Sequence, residues 1–273
     1  MTSPTAQPIP QAATVLLLRD APDGGAPEIF TITRHASLAF SAGVSAFPGG
    51  RIDSADALPP DLWDGTDLAA WGRLLRLEPD AAGKVLAGVV RETFEETGVL
   101  LARNRDGTPV SADLLSDWPE DTRQQVEDQE MDFGALLAEH ALRPDPSGLR
   151  PLSRWITPEG PPRRYDTYFF AAALPEGQLP GTLSFEGIAS RWTTAAEALA
   201  DFQAGRHRLM PPTWAQFRAL LPAQSVADAL AQAGTIETVQ PTVVAGSPRQ
   251  IIGFTDAEDY ALELAAGWPP SEE

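Results

Sequence analysis

Apolar residues along this chain come in short blocks separated by turn-forming residues, and the blocks set out its elements. Ala13–Leu18 and Glu28–Thr33 are β-rich runs flanking the turn-forming stretch DAPDGGAP, a pattern that predicts a hairpin. Phe47-Pro48-Gly49-Gly50 breaks the chain sharply, and a Pro/Asp/Gly-rich stretch follows, with a short helical piece near Leu68–Leu77. Ala81–Thr97 reads as a helix closed by Gly98, after which Val99-Leu100-Leu101 resumes a buried strand. Asp121–Leu142 is a second, charged helical region. Tyr165–Leu174 and Glu186–Trp192 read as strands, and Thr194–Ala204 as a helix. Pro211–Gly234 reads as helical after its prolines, and Thr235–Phe254 as short strands. Residues 1–11, rich in Pro, Ser, Thr and Gln, read as an unpacked arm. Strands alternating with a few helices predict an α/β or α+β sandwich.

Composition narrows the function classes. With 273 residues and 43% apolar content the chain has enough material for a sizeable core. It has no Cys, which excludes disulfides, thiolate metal sites and a cysteine nucleophile. Its longest apolar runs, Ala12–Leu18 and Val85–Val90, fall far short of the ~20 residues of a membrane span. The N-terminal MTSPTAQPIPQ lacks the basic and apolar regions of a secretory leader, so the expected location is cytoplasmic, with no membrane partner. The formal charge of −18 argues against nucleic acid as a partner, since phosphates need a basic face. That charge is uneven: −9 falls in residues 106–145 and −6 in 255–273, both expected to be solvated surface.

The segment that carries chemistry is Arg91-Glu92-Thr93-Phe94-Glu95-Glu96-Thr97-Gly98. On a helix Glu92, Glu95 and Glu96 fall within an arc of about 100°, while Leu86, Val90, Phe94 and Thr97 can pack against a sheet. Three adjacent carboxylates repel one another, and a hard divalent cation turns that repulsion into ligation. Arg91 stands at i,i+4 from Glu95 and can hold that carboxylate in place. Taken alone, the segment reads first as an ordinary solvated helix face.

Its context changes the balance. Upstream stands Phe47-Pro48-Gly49-Gly50, followed by Arg51-Ile52-Asp53-Ser54-Ala55-Asp56. Together the two segments resemble the signature of the Nudix hydrolase family, with Gly50, Arg91, Glu92, Glu95, Glu96, Gly98 and Val99 in matching positions. Asp56 stands where the family has its first Glu, and Thr93 where it has a bulky apolar residue. Residues 57–90 replace an interval of about seven residues in the family pattern, which leaves open whether Asp56 or Asp53 takes the role of that Glu. Long coenzyme A-cleaving members of the family have a box interrupted in this way. They also resemble this chain at Arg34, Phe40, Gly43, Trp155-Ile156-Thr157-Pro158, Arg163-Arg164-Tyr165-Asp166-Thr167 and Phe169-Phe170.

The resemblance implies an α/β fold: a Nudix α/β/α sandwich with a mixed central β-sheet and a helical insertion inside the box. It implies a single domain over 12–273 with insertions near 57–80 and 106–147 and a C-terminal extension over 205–273. The implied activity is metal-dependent hydrolysis of a nucleoside diphosphate linked to another group, with coenzyme A or acyl-coenzyme A as the first substrate class. The alternatives are a broader ADP-ribose or NADH diphosphatase and a non-catalytic nucleotide-binding module. Ala39-Phe40 occupies a place that is basic in short coenzyme A-cleaving relatives. By resemblance, Glu92, Glu95 and Glu96 hold Mg²⁺ or Mn²⁺, with Gly50 also at the metal and Arg91 orienting Glu95. Glu186 is the candidate general base, with Glu92 its rival. Arg34, Arg51, Arg163 and Arg164 are candidates for substrate phosphates. Tyr165 or Trp155 is a candidate for stacking on a base. His35, His140 and His207 have no metal-ligand spacing. Many members of the family dimerise, so a homodimer is an arrangement the resemblance allows.

Overall fold

The computed structural model describes residues 9–34, 44–181, 187–231, 236–244 and 247–267. The chain begins with strands β1 (Gln11–Arg19), β2 (Glu28–Arg34), β3 (Val44–Ala46) and β4 (Gly49–Arg51), then helices α1 (Leu68–Leu75) and α2 (Pro79–Thr97). Next come β5 (Ala102–Asn104), α3 (Ala112–Ser116), α4 (Thr122–Glu127), α5 (Phe133–Glu139) and β6 (Leu142–Pro144). They are followed by β7 (Arg150–Ile156), β8 (Asp166–Ala173), β9 (Gly187–Thr194), α6 (Ala195–Gln203) and β10 (Arg208–Leu209). The C-terminal part adds α7 (Pro211–Leu220), α8 (Val226–Ala231), β11 (Glu237–Val239), β12 (Thr242–Val244), β13 (Ser247–Ile252) and α9 (Ala257–Gly267).

The mixed sheet is organised around β1. Residues Ala12–Leu18 of this strand are all buried, as a strand covered on both faces requires. It runs parallel to β8 from Gln11↔Asp166 to Leu18↔Ala173. Its other edge is shared: β4 pairs with its first half, Ala13 opposite Gly50, and β2 with its last residues, Leu18 opposite Ile29. The expected hairpin is therefore present, and the glycine turn is held against the start of the central strand. One face of the sheet, with Ala13, Val15, Leu17, Tyr168 and Phe170, packs on Leu86, Val89, Val90 and Phe94 of α2. The other, with Leu16, Leu18, Ile29 and Phe169, packs on Phe202, Trp214, Phe217 and Tyr260 of the C-terminal helices. This is the α/β/α sandwich with a mixed sheet that the sequence implied.

Several local expectations are corrected. Gln11 belongs to β1 and not to the expected N-terminal arm, whose residues 1–8 lie outside the described residues. Val99–Leu101 is buried but is not a strand; the strand is Ala102–Asn104, which pairs with β6 outside the main sheet. The side chain of Gln178 takes the place of a neighbouring strand there: Leu100 N–H donates to its Oε1 at 2.8 Å and its Nε2 donates to the Leu100 carbonyl at 3.2 Å. Asp121–Leu142 is two helices, broken where Gln129 turns left-handed at φ 59° and Asp132 caps α5 by accepting from Ala135 N–H. The α7 helix begins at Pro211 itself, where a missing N–H is tolerated. The acidic stretch 106–145 is not only solvated surface, because Val126, Phe133, Leu136 and Leu137 are buried in the same core as α2. No helix among the described residues is long and apolar enough to cross a membrane.

Candidate active site

Helix α2 starts on Pro79 and ends where Gly98, at φ 75°, donates its N–H to the Phe94 carbonyl at 2.8 Å. A left-handed residue at this position favours glycine. Thr93, in the place of a bulky apolar residue, is buried without penalty because its hydroxyl donates to the Val89 carbonyl at 2.6 Å.

The glycine turn and the helix meet through space. Gly49, at φ 150°, donates its N–H to Glu96 Oε2 at 2.7 Å. A Cβ on Gly50 would lie 2.6 Å from Glu92 Cδ, so a side chain there would displace this carboxylate. Between them Arg91 gathers three acids. It donates to Asp56 through Nε at 2.8 Å and Nη2 at 3.0 Å, to Glu95 through Nη1 at 2.8 Å, and to Glu92 through Nη1 at 3.0 Å. Its Nη2 also reaches the Arg51 carbonyl at 3.0 Å. Of the two candidate acids after the glycine turn, Asp56, 1% exposed, is thus the one brought to Arg91. Asp53 is not: half-buried, it caps a 3₁₀ turn over Ser54–Asp56. Burial works against the Arg91 charge, but the bonds to Asp56 and the charges of Glu92, Asp56 and Glu95 outweigh it and hold the guanidinium ionised.

Burial pushes the Glu92 carboxyl up to about 8; Arg91 opposes the shift, and Glu95 and Glu96 add to it. Burial also raises Glu95, against Arg91 and with the charges of Asp56 and Glu127. Among the described residues no three His, Cys, Asp or Glu side chains stand in a ready metal-binding arrangement. Two of the three box acids are turned onto Arg91, and the third accepts from Gly49. The donor chemistry nevertheless fits a hard divalent cation: carboxylate oxygens on one helix face, two of them raised by burial, beside a turn with no side chain.

One solution property follows. Glu92 has an ordinary value near 4.5, so between that pH and about 8 it is protonated in the folded chain and ionised in the unfolded one. Its contribution to stability is complete below about pH 4.5 and is lost as pH rises through 8. Metal-free protein is therefore expected to lose melting temperature across this interval, and Glu92→Gln to flatten the loss. A Glu92→Gln profile as steep as that of the wild type would exclude this group as its source.

The other sequence candidates are spread around this end of the sheet. Arg51 is exposed next to Gly50, and it shares a row with Ala12 and Thr167. Two strand spacings, about 10 Å, thus separate it from the start of β8. The turn before β8 carries Arg163 and Tyr165, both exposed, and Arg164, whose Nε donates to the Thr157 carbonyl at 3.0 Å. Arg34 ends β2, but its side chain lies outside the described residues, as do Glu186 and His35. The flanks of the Glu186 segment are placed: Gly181 N–H donates to the Thr97 carbonyl at the end of α2, and Gly187 is in register with Arg34. Trp155 is not available for stacking on a base, being buried against Phe254. His140 packs on Trp118, and His207 contacts Ser45.

Sequence reasoning missed two arginines. Arg154 on β7 binds Asp166 of the RRYDT stretch through Nε at 2.7 Å and Nη2 at 2.5 Å. Spacing did not reveal the pair, because it joins two strands across a turn. Arg123, on α4, stands at the end of α2.

A carboxylate helix docked on a glycine turn at one end of a mixed sheet, with helices on both faces, is the Nudix fold. A crystal structure of a Nudix hydrolase from Alicyclobacillus acidocaldarius matches it with a TM-score of 0.69 and 26% identity, over 85% of this chain and 99% of that one. The chain belongs to the NUDT19 Nudix domain family, whose profile matches residues 73–220. It is 28% identical over 261 residues to the acyl-coenzyme A diphosphatase NUDT19 of Gallus gallus, covering 74% of this chain. It is also 28% identical over 265 residues to the Homo sapiens protein of the same name, covering 83% of this chain. In both cases the match spans 65% of the relative's own length.

Proposed function

We propose that the chain is a divalent-cation-dependent diphosphatase acting on coenzyme A or acyl-coenzyme A. Water would be added across the pyrophosphate, releasing a phosphopantetheine and an adenosine bisphosphate. The observation that carries this reading is the assembly of Glu92, Glu95 and Glu96 with Arg91 and Asp56 against Gly49-Gly50. The similarity to two vertebrate acyl-coenzyme A diphosphatases supports the substrate class.

Glu92, Glu95 and Glu96 would hold Mg²⁺ or Mn²⁺. A cation bound there neutralises phosphate oxygens and lowers the pKa of water. Arg91 fixes Glu95 and Glu92 on the helix face, and Asp56 fixes Arg91. Gly49 and Gly50 let the backbone approach a phosphate closely. Arg51 on one side, and Arg163, Arg164 and Tyr165 about two strands away, are the proposed groups for the phosphates and the base of an extended substrate, with Arg34 as a further candidate. Glu186 is the proposed general base, with Glu92 as the second candidate.

The test is a panel of coenzyme A, acyl-coenzyme A, ADP-ribose, NADH and diadenosine polyphosphates with Mg²⁺ or Mn²⁺, products identified by mass. Coenzyme A or its acyl form is expected to give the highest kcat/KM, with phosphopantetheine-containing products. Faster turnover of ADP-ribose or NADH would replace the substrate assignment. No turnover, with a nucleotide raising the melting temperature, would assign a non-catalytic binding module instead.

A further inference from the structure

The strands on either side of the β7–β8 turn are joined by an ion pair that the proposed chemistry does not use. Arg154 donates to Asp166 through Nε at 2.7 Å and Nη2 at 2.5 Å, and its guanidinium lies over the Tyr168 ring, 5.0 Å from the centroid. Asp166 is 7% exposed, so its charge depends on this fork. Gly50, Ala13, Tyr168 and Arg154 form one row across the sheet, which puts the pair on the face that carries Glu92. The turn is closed just beyond the pair. Thr157 N–H donates to the Tyr165 carbonyl at 2.9 Å, Tyr165 N–H to Thr157 Oγ1 at 3.0 Å, and Arg164 Nε to the Thr157 carbonyl at 3.0 Å. A run of bonds then leads to the carboxylate helix. Asp166 N–H donates to the Pro10 carbonyl and Ile52 N–H to the next carbonyl, that of Gln11, both at 2.9 Å, while the Arg51 carbonyl accepts from Arg91.

We infer that Arg154 is a positioning residue for substrate binding, acting through Asp166. The pair fixes the base of the turn that carries Arg163, Arg164 and Tyr165, and so sets where these groups stand relative to the carboxylate helix. This rests on the proposed diphosphatase reading, in which the three groups take the phosphates and base of the substrate. A turn left loose at its base would lose conformational entropy each time a substrate ordered it, and a turn already clamped loses less. A guanidinium suits the clamp because its planar fork meets both carboxylate oxygens at once, which an ammonium does not. Arg154 itself touches no substrate in this arrangement, so its effect falls on binding and not on the chemical step.

The test compares Arg154→Gln, Asp166→Asn and their double variant with coenzyme A as substrate, assayed well below their melting temperatures. Each single change is expected to raise KM about tenfold with kcat within about twofold, and the double variant to rise no further than either. Placed in an Arg163→Gln/Arg164→Gln background, Arg154→Gln is expected to raise KM less than about twofold, because the groups it positions are gone. Hydrogen exchange at the Thr157 and Tyr165 amides is expected to quicken about tenfold in Arg154→Gln, with the amides of α2 unchanged. An unchanged KM, a loss confined to kcat, a full tenfold rise in the Arg163→Gln/Arg164→Gln background, or wild-type exchange at both amides would overturn the inference. Failure of the diphosphatase reading would show separately, as no turnover of any pyrophosphate by the wild type, whereas the exchange measurement needs no substrate.

Discussion

Glu95→Gln is expected to lower kcat by about three orders of magnitude while leaving the fold intact. A metal-held phosphate gains several kcal/mol of charge stabilisation in the transition state, and each 1.36 kcal/mol is a factor of about ten in rate. Glu95 is 6% exposed, and its position on Arg91 leaves it little freedom. The amide keeps the shape of the side chain but removes the charge that a cation requires. Folding should tolerate the change, because Arg91 keeps two bonds to Asp56 and one to Glu92. The measurement pairs steady-state kinetics with a melting curve. Unchanged turnover in both Glu95→Gln and Glu96→Gln would remove the carboxylate helix from the chemistry.

Asp56→Ala is expected to be the most destabilising single change at the site, by about 3 kcal/mol. Removing one member of a buried ion pair typically costs 3–5 kcal/mol, because the partner is left buried without compensation. The lower end applies here, since Arg91 retains Glu92 and Glu95. The Asp56 side chain also accepts from Asp53 N–H at 2.7 Å, and that bond is lost too. For a chain of 273 residues the loss corresponds to about 5 °C in melting temperature, measured without added metal. Asp53→Ala removes a turn cap and a 3.3 Å bond from Gln129 Nε2 but no ion pair, and is expected to shift the melting temperature much less. Equal shifts in the two variants would mean that Arg91 does not depend on Asp56.

How much was legible depended on how locally each feature is encoded. The carboxylate helix could be read outright, because its apolar stripe, its acids and its closing glycine lie within one stretch of chain. The pairing of Asp56 with Arg91 could not, because the two are 35 residues apart and the long interval between them left Asp53 able to share the place. The false strand at Val99–Leu101 has an apolar pattern that any fully buried extended segment shares; what satisfies its backbone is Gln178, 78 residues on. Arg123 was hidden by its surroundings, since a segment with a net charge of −9 reads as solvent-facing. Its buried residues, Val126, Phe133, Leu136 and Leu137, are too scattered among charges to announce a core. The arginines before β8 were found because they cluster, but Asp166 beside them serves Arg154 across the sheet.

The separation of the glycine turn from the carboxylate helix has a consequence for how the site can vary. Closing a flexible loop of 34 residues in place of seven costs about 1.4 kcal/mol more chain entropy. Here the excursion is not a flexible loop: Leu62, Trp63 and Leu75 within it are buried in the core beneath α2, which offsets the extra entropy locally. The two halves then find each other through Gly49–Glu96 and Asp56–Arg91, bonds that do not depend on how the chain travels between them. Length in this interval is therefore a free parameter of the site. Any detour that leaves after Asp56, buries its own apolar residues and returns at Pro79 preserves the same five side chains in the same places.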